Sequence, residues 1–369
     1  LAFTGLSALR GEWGLLVAGK VVQRGRWVGL DVAPLRSVVV DLPCVVPAEA
    51  TDVVFRTRWF GPVCGERQLV AWDEVRVVAA ARQATRPVSA PATEAAVRID
   101  PQLCLWRAAT DNDGFKLLPE LRERIGAGGK ALTEWLAVGL HERPADELVQ
   151  HRLRRDGNHF EHTVVVPEAL ADLPRVGVTF TLPGRFSMLR WYGRGPHENY
   201  PDRNRSAMFG VWEASPDEMP YLVPQEFGLR TDCRWVEFID PRRDEVIRID
   251  ADSALHFSAT HHTAGDLFAA TTATELTARR ELVVHLDHAH RGLGTASCGP
   301  DVLPQYRIAA GTYRFGYSVA RRTRSGRSSA KVVSTRQPCG SGPRSSSASS
   351  VGGASRSFTV PRSSWPRRR

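Results

Sequence analysis

The sequence predicts a mainly β chain: a small β-sandwich, a large antiparallel β-sandwich and a disordered basic tail. Three observations lead to this fold class. Short segments rich in Val and aromatic residues recur at roughly 8–12-residue spacing, which is typical of antiparallel sandwiches. A stretch rich in Ala, Pro, Ser and Thr separates two such regions. With 369 residues, the chain can form two or three domains that each bury a core.

The first sandwich is predicted over residues 1–80. Its strands are expected at Trp13–Val17, Val21–Val28, Val38–Val46, Val53–Trp59 and Leu69–Val78. Gly19 and Lys20 mark a tight turn between the first two strands. Residues 81–94 are predicted to be a linker, because prolines interrupt them and they contain hardly any apolar anchor.

The second sandwich is predicted over residues 95–320. Its clearest strand patterns are His162–Val166, Val176–Leu182, Met188–Tyr192, Trp235–Ile239, Val246–Ala251, Leu282–Leu286 and Thr312–Val319. One helical stretch is expected near Ala131–Leu140, because Leu132, Trp135, Leu136 and Leu140 fall on one helical face. We therefore expect a large sandwich with a short helix at its edge.

The tail, residues 321–369, contains 12 Lys or Arg residues and no Asp or Glu. The whole chain carries +9, so residues 1–320 carry −3, which is +9 minus the 12 charges of the tail. The positive charge that could attract nucleic acid therefore belongs to the tail, and we expect no nucleic-acid partner. The tail has too little apolar surface to fold. It is either a basic interaction arm or non-native, frameshifted sequence, and the abrupt change in composition favours the second interpretation.

Further features limit the class of protein. No run of about 18 apolar residues is present, so we expect no transmembrane helix and no membrane partner. The chain begins at Leu1 without an initiator Met or a signal-peptide pattern, which suggests that its true start lies upstream. The six cysteines are dispersed and form no CxxC pair, which favours reduced thiols in the cytoplasm.

Four motifs point to one family. They are LWRAATDND at Leu105–Asp113, GRGPHENYPDR at Gly193–Arg203, PQEFGLRTDCRW at Pro224–Trp235 and RGLGTASCGPDVLPQY at Arg291–Tyr306. Together with LRGEW at 9–13 and AWDEVRV at 71–77, they resemble the C-terminal portion of the large multidomain β-galactosidases of glycoside hydrolase family 2. The resemblance implies an immunoglobulin-like sandwich over 1–80 and a small-chain domain of galactose mutarotase-like fold over 95–320.

The resemblance also implies which loops face the substrate. In the family, the loop after the DND element lies over the active-site mouth and moves when substrate binds. Here that loop is Asp111, Asn112, Asp113 and Gly114, and a glycine suits a mobile loop. Asp111 and Asn112 have an alternative role, since Asp and Asn side chains also cap turns and helix starts through local hydrogen bonds.

A second loop is implied by the GTASCGP segment, which aligns with a loop that reaches the sugar pocket in some members. Ser297 and Cys298 are the candidates there, although the Trp that those members use as an aromatic platform is missing. Another departure is Phe227, which stands where an Asn is common. Either a polar contact at the mouth is lost or this position is buried.

Catalytic residues are not expected in this chain. Hydrolysis with retention needs two carboxyl groups about 5–5.5 Å apart. In the family both are Glu residues on a (β/α)₈ barrel, and the acid/base follows an Asn. This chain has no Asn-Glu dipeptide and no alternating strand and helix pattern. For Glu198 we expect an ion pair with Arg203 or Arg205, and for Glu226 one with Arg230.

The segment HLDHAH at His285–His290 raises the question of a metal site. His288 and His290 would share one face of a strand, but the sequence supplies no further ligands nearby. Polar residues at a strand end are the favoured interpretation. The resemblance implies magnesium and sodium ions in the complete enzyme, held mostly by the barrel, and none bound by this chain.

The implied function is that of a C-terminal part of a β-galactosidase, which hydrolyses terminal β-D-galactosides such as lactose by a retaining two-Glu mechanism. Its expected partners are the catalytic barrel, on the upstream chain or a separate large subunit, galactosides, and further copies in a homo-oligomer. The alternative is a stand-alone carbohydrate-binding β-sandwich module. An exposed coplanar pair such as Trp191 and Trp235 would support that alternative.

Overall fold

The computed structural model describes residues 5–27, 29–41, 44–50, 52–78, 99–116 and 130–323. Strands dominate these residues, so the mainly β class is confirmed. They form two compact units: a smaller unit within residues 5–78 and a larger unit within residues 99–323. The predicted linker at 81–94 lies outside the described residues. Residues 321–323 of the predicted tail belong to the last strand, and the rest of the tail also lies outside the described residues.

The smaller unit is one antiparallel sheet of strands β1 (Arg10–Val17), β2 (Lys20–Trp27), β3 (Val53–Val63) and β4 (Glu66–Val78). The strand order is β2-β1-β3-β4. The predicted turn joins β1 to β2, with positive φ angles of 47° at Ala18 and 77° at Gly19. One face of the sheet is apolar and buries Trp13, Leu15, Val53 and Phe55.

The strand predicted over Val38–Val46 is wrong for the described residues of that range, which form no strand. Instead, Cys44 and Val46 pack against the apolar face of the sheet. The side chain of Gln23 makes two hydrogen bonds with the backbone of Val45. Its Nε2 donates to the carbonyl of Val45 at 2.5 Å, and its Oε1 accepts from the Val45 N–H at 3.0 Å. The backbone N–H and carbonyl of Val45 are thus both bonded without a strand partner.

The larger unit contains ten strands and three short α-helices among the described residues. The strands are β5 (Gln102–Cys104), β6 (Gln150–Asp156), β7 (His159–Val166), β8 (Arg175–Pro183), β9 (Met188–Gly195), β10 (Met208–Ala214), β11 (Arg230–Asp240), β12 (Glu245–Thr260), β13 (Glu281–His290) and β14 (Gly311–Thr323). The helices are α1 (Ala131–Ala137), α2 (Ala145–Leu148) and α3 (Ala264–Ala269). Single 3₁₀ turns lie at Glu168–Leu170, Ala273–Glu275 and Pro304–Tyr306.

The long strand β12 divides the sheet of the larger unit into two arms. One edge of β12 pairs with β11, whereas its other edge changes partner along its length. Residues 245–251 pair with β14, and residues 256–260 pair with β13. One arm continues as β13-β8-β5 and the other as β14-β7-β6. A single apolar cluster includes side chains from both arms, which gives the layered arrangement predicted for this region.

The predicted helix is confirmed as α1, which ends earlier than expected. It buries Leu132 and Trp135, while Leu136 is 36% exposed and does not share the buried face. Leu140 is buried beyond the helix, in the turn that follows it. Within the described part of the chain, no helix is both long and apolar enough to cross a bilayer.

The strand register brings several motifs to one end of the large sheet. Strand β8 begins at Arg175, which pairs with His290 at the end of β13. The PQEF segment precedes β11, and the backbone N–H of Glu226 donates to the carbonyl of Ala108 at 3.2 Å. Residues that are distant in sequence therefore meet where β8 begins and β13 ends.

Candidate functional site

The two predicted loops are in direct contact through Asn112. Its Nδ2 donates to the carbonyl of Gly294 at 2.9 Å, and its Oδ1 accepts from the N–H of Ser297 at 3.0 Å. Ser297 and Cys298 are exposed, and the Cys298 N–H donates back to the carbonyl of Thr295 at 3.2 Å. The side chain of Asn112 thus joins two loops. It does not act as the local cap of a turn or helix, which was the alternative role expected for it.

Asp113 has a different environment from its exposed neighbour Asp111. Asp113 is fully buried and accepts hydrogen bonds from Arg107 Nη2 at 2.7 Å and from the Thr110 N–H at 2.9 Å. The Thr110 hydroxyl donates a further bond at 3.0 Å. Asp113 therefore fixes the turn from beneath, and Asp111 alone of the two acidic residues faces solvent.

Gly114 permits close packing of this turn against helix α1. A Cβ atom at Gly114 would lie 2.7 Å from the Cβ of Leu132, a separation that real side chains do not adopt. Gly114 is not among the residues with positive φ. The structure therefore gives this glycine a packing reason, whereas the sequence suggested loop mobility.

A third motif reaches the same junction through Asp202, which the sequence analysis did not single out. Its carboxylate accepts a hydrogen bond from the N–H of Gly294 at 2.8 Å. Gly294 has a φ of 64°, a conformation that favours glycine, so its N–H can point at Asp202 without strain. The GRGPHENYPDR, DND and GTASCGP motifs therefore meet at Gly294.

Three arginines are fully buried beneath the loops: Arg107, Arg175 and Arg291. Arg291 Nε donates to Asp172 at 2.7 Å, and its Nη2 donates to Asp301 at 3.1 Å. Burying a guanidinium without partners would be costly, but charge-assisted hydrogen bonds to carboxylates offset that cost. The loops consequently rest on a connected network of buried charges.

Arg175 lies between two carboxylates, Glu226 at 3.0 Å and Asp287 at 3.5 Å. Burial disfavours its charged form, but Asp287 and Glu226 favour it more strongly, so the pKa of Arg175 is raised above its ordinary value. Asp287 is also fully buried, and neither of its carboxyl oxygens has a hydrogen-bond partner in the described part of the chain. Burial, together with the nearby charge of Glu226, raises the pKa of Asp287 to about 7, although Arg175 and Arg107 oppose the shift.

This shift predicts a pH dependence for Asp287. Its ordinary pKa is 3.8, so between about pH 4 and pH 7 the folded chain holds a proton that the unfolded chain has released. The contribution of Asp287 to stability therefore falls as pH rises through this window, by up to about 1.4 kcal/mol per pH unit. Asp287→Asn stays neutral, so its free energy of unfolding relative to wild type should increase between about pH 5 and pH 7. Urea unfolding at both pH values measures this, and an unchanged difference would contradict the assignment.

Glu198 and Glu226 both have structural partners. Glu198 pairs with Arg203 at 3.7 Å, as expected, and also accepts a hydrogen bond from the Gly228 N–H at 2.8 Å. The expected pair of Glu226 with Arg230 is wrong. Arg230 instead donates to Asp217 at 3.0 Å, because Glu226 is drawn toward Ala108 by its backbone bond and meets Arg175 there.

The histidine segment contributes to the buried cluster through His290. His290 Nδ1 lies 2.9 Å from the carbonyl of Arg291, to which it donates, and Nε2 lies 3.3 Å from Arg175 Nη2, from which it accepts. Burial and the charges of Arg107 and Arg175 lower the pKa of His290 well below its ordinary value. In the part of the chain that the structure describes, no group of three His, Cys, Asp or Glu residues is arranged to hold a metal ion.

The remaining sequence features are placed as follows. Phe227 is buried with Ala108 and Leu267 in an apolar cluster, so the burial alternative holds at this position. Trp191 is fully buried, and Trp235 is half-buried, with Arg248 stacked 4.3 Å from its ring centroid. The two tryptophans therefore do not form an exposed coplanar pair.

The bridge made by Asn112 predicts a local effect on the second loop. In Asn112→Ala, the Ser297 amide loses its acceptor and should exchange with solvent about tenfold faster, since about 1.4 kcal/mol corresponds to a factor of ten. Asp111→Ala is the matched control, because Asp111 is an exposed residue of the same turn and does not supply the acceptor of the Ser297 amide. Hydrogen exchange of the Ser297 amide measures both variants. Equal protection in Asn112→Ala and wild type would show that the bridge does not hold the loop.

Comparison with known proteins adds the family context. The family model described as the β-galactosidase small chain matches residues 89–319. The chain is 33% identical over 253 residues to a β-galactosidase of Arthrobacter sp. strain B7, covering 56% of this chain and 25% of that protein. It is 36% identical over 155 residues to a β-galactosidase of Vibrio cholerae, covering 41% of this chain and 14% of that protein.

A third similar protein is a β-galactosidase of the yeast Kluyveromyces lactis, with 33% identity over 150 residues, covering 40% of this chain and 14% of that protein. In these comparisons, the chain spans a quarter or less of the length of its curated relatives. The similarity therefore concerns one portion of much longer proteins.

Proposed function

Because the chain belongs to the β-galactosidase small-chain family, we propose that it forms the C-terminal part of an enzyme that hydrolyses terminal β-D-galactosides such as lactose. In this proposal, the retaining reaction is carried out by two Glu residues of a catalytic barrel outside this chain. The chain supplies a scaffold, a loop at the pocket and contacts between subunits of a homo-oligomer. Its direct partner is the barrel, on an upstream segment or on a separate large subunit.

The observation that carries the proposal is the junction of the two loops on a rigid base. Asn112 bridges the exposed segment around Ser297 to the DND turn, and Asp113 anchors that turn to Arg107. Loops that position a substrate are most precise when buried contacts lock their bases. The exposed loop tip and its buried support match the role of a preformed element presented to a neighbouring site.

Neither Glu198 nor Glu226 suits catalysis within this chain. Glu226 is buried against Arg175, and the Glu198 carboxylate is bound by Gly228 and by the Tyr221 hydroxyl. A general acid or a nucleophile must reach the substrate, whereas these carboxylates satisfy partners inside the fold. This supports placing both catalytic Glu residues on another part of the enzyme.

The complete enzyme is expected to contain magnesium and sodium ions, and we propose that its barrel holds most of them. Among the described residues of this chain, no three His, Cys, Asp or Glu side chains are grouped to hold a metal ion.

The proposal predicts that the purified chain does not hydrolyse galactosides by itself. A chromogenic β-galactoside assay at high protein concentration should give turnover equal to a mock preparation from the same host. Turnover that exceeds the mock preparation would place catalysis in this chain and contradict the proposal.

A further inference from the structure

Arginine side chains gather on one face of the sheet in the smaller unit. Residues directly opposite each other on antiparallel strands point to the same face, and Glu12 of β1 is opposite both Arg26 of β2 and Arg58 of β3. Arg24 shares this face because it lies two residues before Arg26 on β2. Arg10 shares it because it lies two residues before Glu12 on β1. We call these four arginines, at positions 10, 24, 26 and 58, the arginine cluster.

The arginine cluster has a large excess of positive charge. Glu12 is the only acidic residue of β1, β2 and β3. Its carboxylate lies 3.1 Å from the guanidinium of Arg10, 3.2 Å from that of Arg58 and 3.7 Å from that of Arg26. Arg24 has no ion pair with any residue that the structure describes. One carboxylate therefore faces four guanidinium groups, and most of their N–H donors are left for another anion.

The net charge of the smaller unit conceals this cluster. Residues 5–78 contain nine Lys or Arg and eight Asp or Glu, so the unit carries only +1. Apart from Glu12, its acidic residues lie on β4 or in the segment between β2 and β3. The positive field is consequently confined to one face of the sheet, and a count along the sequence does not show it.

The guanidinium groups are accessible and spread over a wide area. The side chain of Arg26 is 65% exposed, that of Arg58 is 47% exposed and that of Arg10 is 37% exposed. Neighbouring strands lie about 4.8 Å apart, so the backbones that carry Arg26 and Arg58, on either side of β1, are separated by roughly 10 Å. The surface therefore suits several anionic groups, whereas a single small anion would contact only part of it.

The aromatic ring beside the cluster favours a protein partner over a nucleic acid. Proteins that bind single-stranded nucleic acids stack the bases on exposed aromatic rings. Here the ring of Phe60 already carries Arg10 at 5.4 Å and Arg58 at 5.8 Å from its centroid. Arginine pairs with carboxylates through two parallel hydrogen bonds, and arginine is enriched at protein interfaces. Acidic side chains of a protein are therefore the anions that match this surface.

The spacing of the arginines indicates the shape of the partner. Arg24 and Arg26 are two residues apart on one strand, a distance of roughly 7 Å. Alternate side chains of an extended peptide project from one face at the same spacing. We propose that the arginine cluster docks an extended segment of a protein partner that carries acidic residues at alternate positions. This docking is independent of the proposed role in a galactosidase.

Arginine footprinting of the full chain with phenylglyoxal tests the docking surface. The probe is a short peptide of alternating Glu and Thr residues. At about twice its dissociation constant it occupies about two thirds of the sites, so modification of Arg26 and Arg58 should slow about threefold. Arg36 is exposed and lies outside the sheet, and its rate should not change. Mass spectrometry of the digested chain reads each arginine separately, so the basic residues of the tail do not obscure the result.

Two further conditions test whether charge causes the protection. A peptide of alternating Gln and Thr residues should protect neither Arg26 nor Arg58, because it has no carboxylates. Protection by the acidic peptide should also disappear at about 1 M salt, where charges are screened beyond about 3 Å.

A double variant locates the binding surface. Arg24→Gln with Arg26→Gln removes two charges from the cluster, so the acidic peptide should need an about tenfold higher concentration to protect Arg58. Lys20→Gln with Arg36→Gln is the matched control, because it removes the same charge from exposed positions outside the cluster. It should leave the protection of Arg58 unchanged. All four side chains are exposed, so both variants should keep the melting temperature of the wild-type chain.

Three results would overturn the inference. The acidic peptide could fail to protect Arg26 and Arg58, or the two double variants could weaken the protection of Arg58 equally. A thymidine oligonucleotide of equal charge could also protect the cluster more strongly than the peptide, which would assign this face to single-stranded nucleic acid. Each result would leave the proposed role in a galactosidase intact, because that role is tested by hydrolysis.

Discussion

Replacing Asp113 with alanine is expected to destabilise the larger unit by roughly 3–5 kcal/mol, the usual cost of removing one partner from a buried ion pair. Asp113 is fully buried and accepts bonds from Arg107, Thr110 and, at 3.4 Å, from Arg291. Its loss would leave a buried guanidinium uncompensated. The free energy of unfolding of a folded domain is only about 5–15 kcal/mol, so this substitution should remove a large fraction of it.

The control for this experiment lies two residues away in the same motif. Asp111 is exposed, so Asp111→Ala should change stability by no more than about 0.5 kcal/mol. Urea unfolding of both variants, followed by far-UV circular dichroism, measures the difference. If Asp113→Ala and Asp111→Ala unfolded at the same urea concentration, the buried charge network would not support the loops as described here.

Replacing Trp191 with alanine should have a comparable effect, a loss of roughly 3–5 kcal/mol. The ring is fully buried, contacts Phe257 edge to face at 5.7 Å, and donates from Nε1 to the carbonyl of Arg194 at 3.0 Å. Its removal would leave a large cavity in the core. Arg230 lies over the same ring at 5.2 Å and would lose that contact as well.

Trp235→Ala is the contrasting variant, because Trp235 is half-buried and its ring lies near the guanidinium groups at positions 190 and 248. Trp235→Ala should lower the free energy of unfolding by less than half as much as Trp191→Ala does. Thermal unfolding of the two variants distinguishes a core tryptophan from an exposed platform. If Trp191→Ala kept the wild-type melting temperature, Trp191 would have to be re-examined as a surface residue.

The strands could largely be predicted from the sequence, because alternation of apolar residues reports burial on one face of a sheet. The prediction failed at Val38–Val46, where apolar residues recur but the backbone is held by the side chain of Gln23. Such a contact joins residues 22 positions apart and leaves no periodic signal. The predicted helical face was also only partly correct. Helix α1 ends at Ala137, and it buries Leu132 and Trp135 but not Leu136.

The loops could be predicted only through the resemblance, and their supports could not be predicted at all. Arg107 and Arg291 lie inside the motifs, yet both are fully buried. Arginine is seldom buried in proteins, so the residue type alone predicts a position on the surface. Arg175 and Asp172 lie outside the motifs, so no sequence signal marked them. Asp202 meets Gly294 across 92 positions, a pairing that only the fold reveals.

These residues explain how the fold can serve a neighbouring site. The exposed tip at Ser297 is tied by Asn112 to a turn whose base is anchored by Asp113. The carboxylates of Glu198 and Glu226 are engaged within the fold. The arrangement therefore suits support and positioning, while the reaction itself is assigned to the proposed barrel.

The most direct test of this account is a chimera. The segment of the Arthrobacter β-galactosidase that aligns with this chain would be replaced by the matching residues of this chain, and lactose hydrolysis would be compared with the same enzyme lacking that segment. The account predicts that the truncated enzyme is inactive and that the chimera hydrolyses lactose. A chimera that folds and assembles like the parent enzyme but stays as inactive as the truncated form would contradict it.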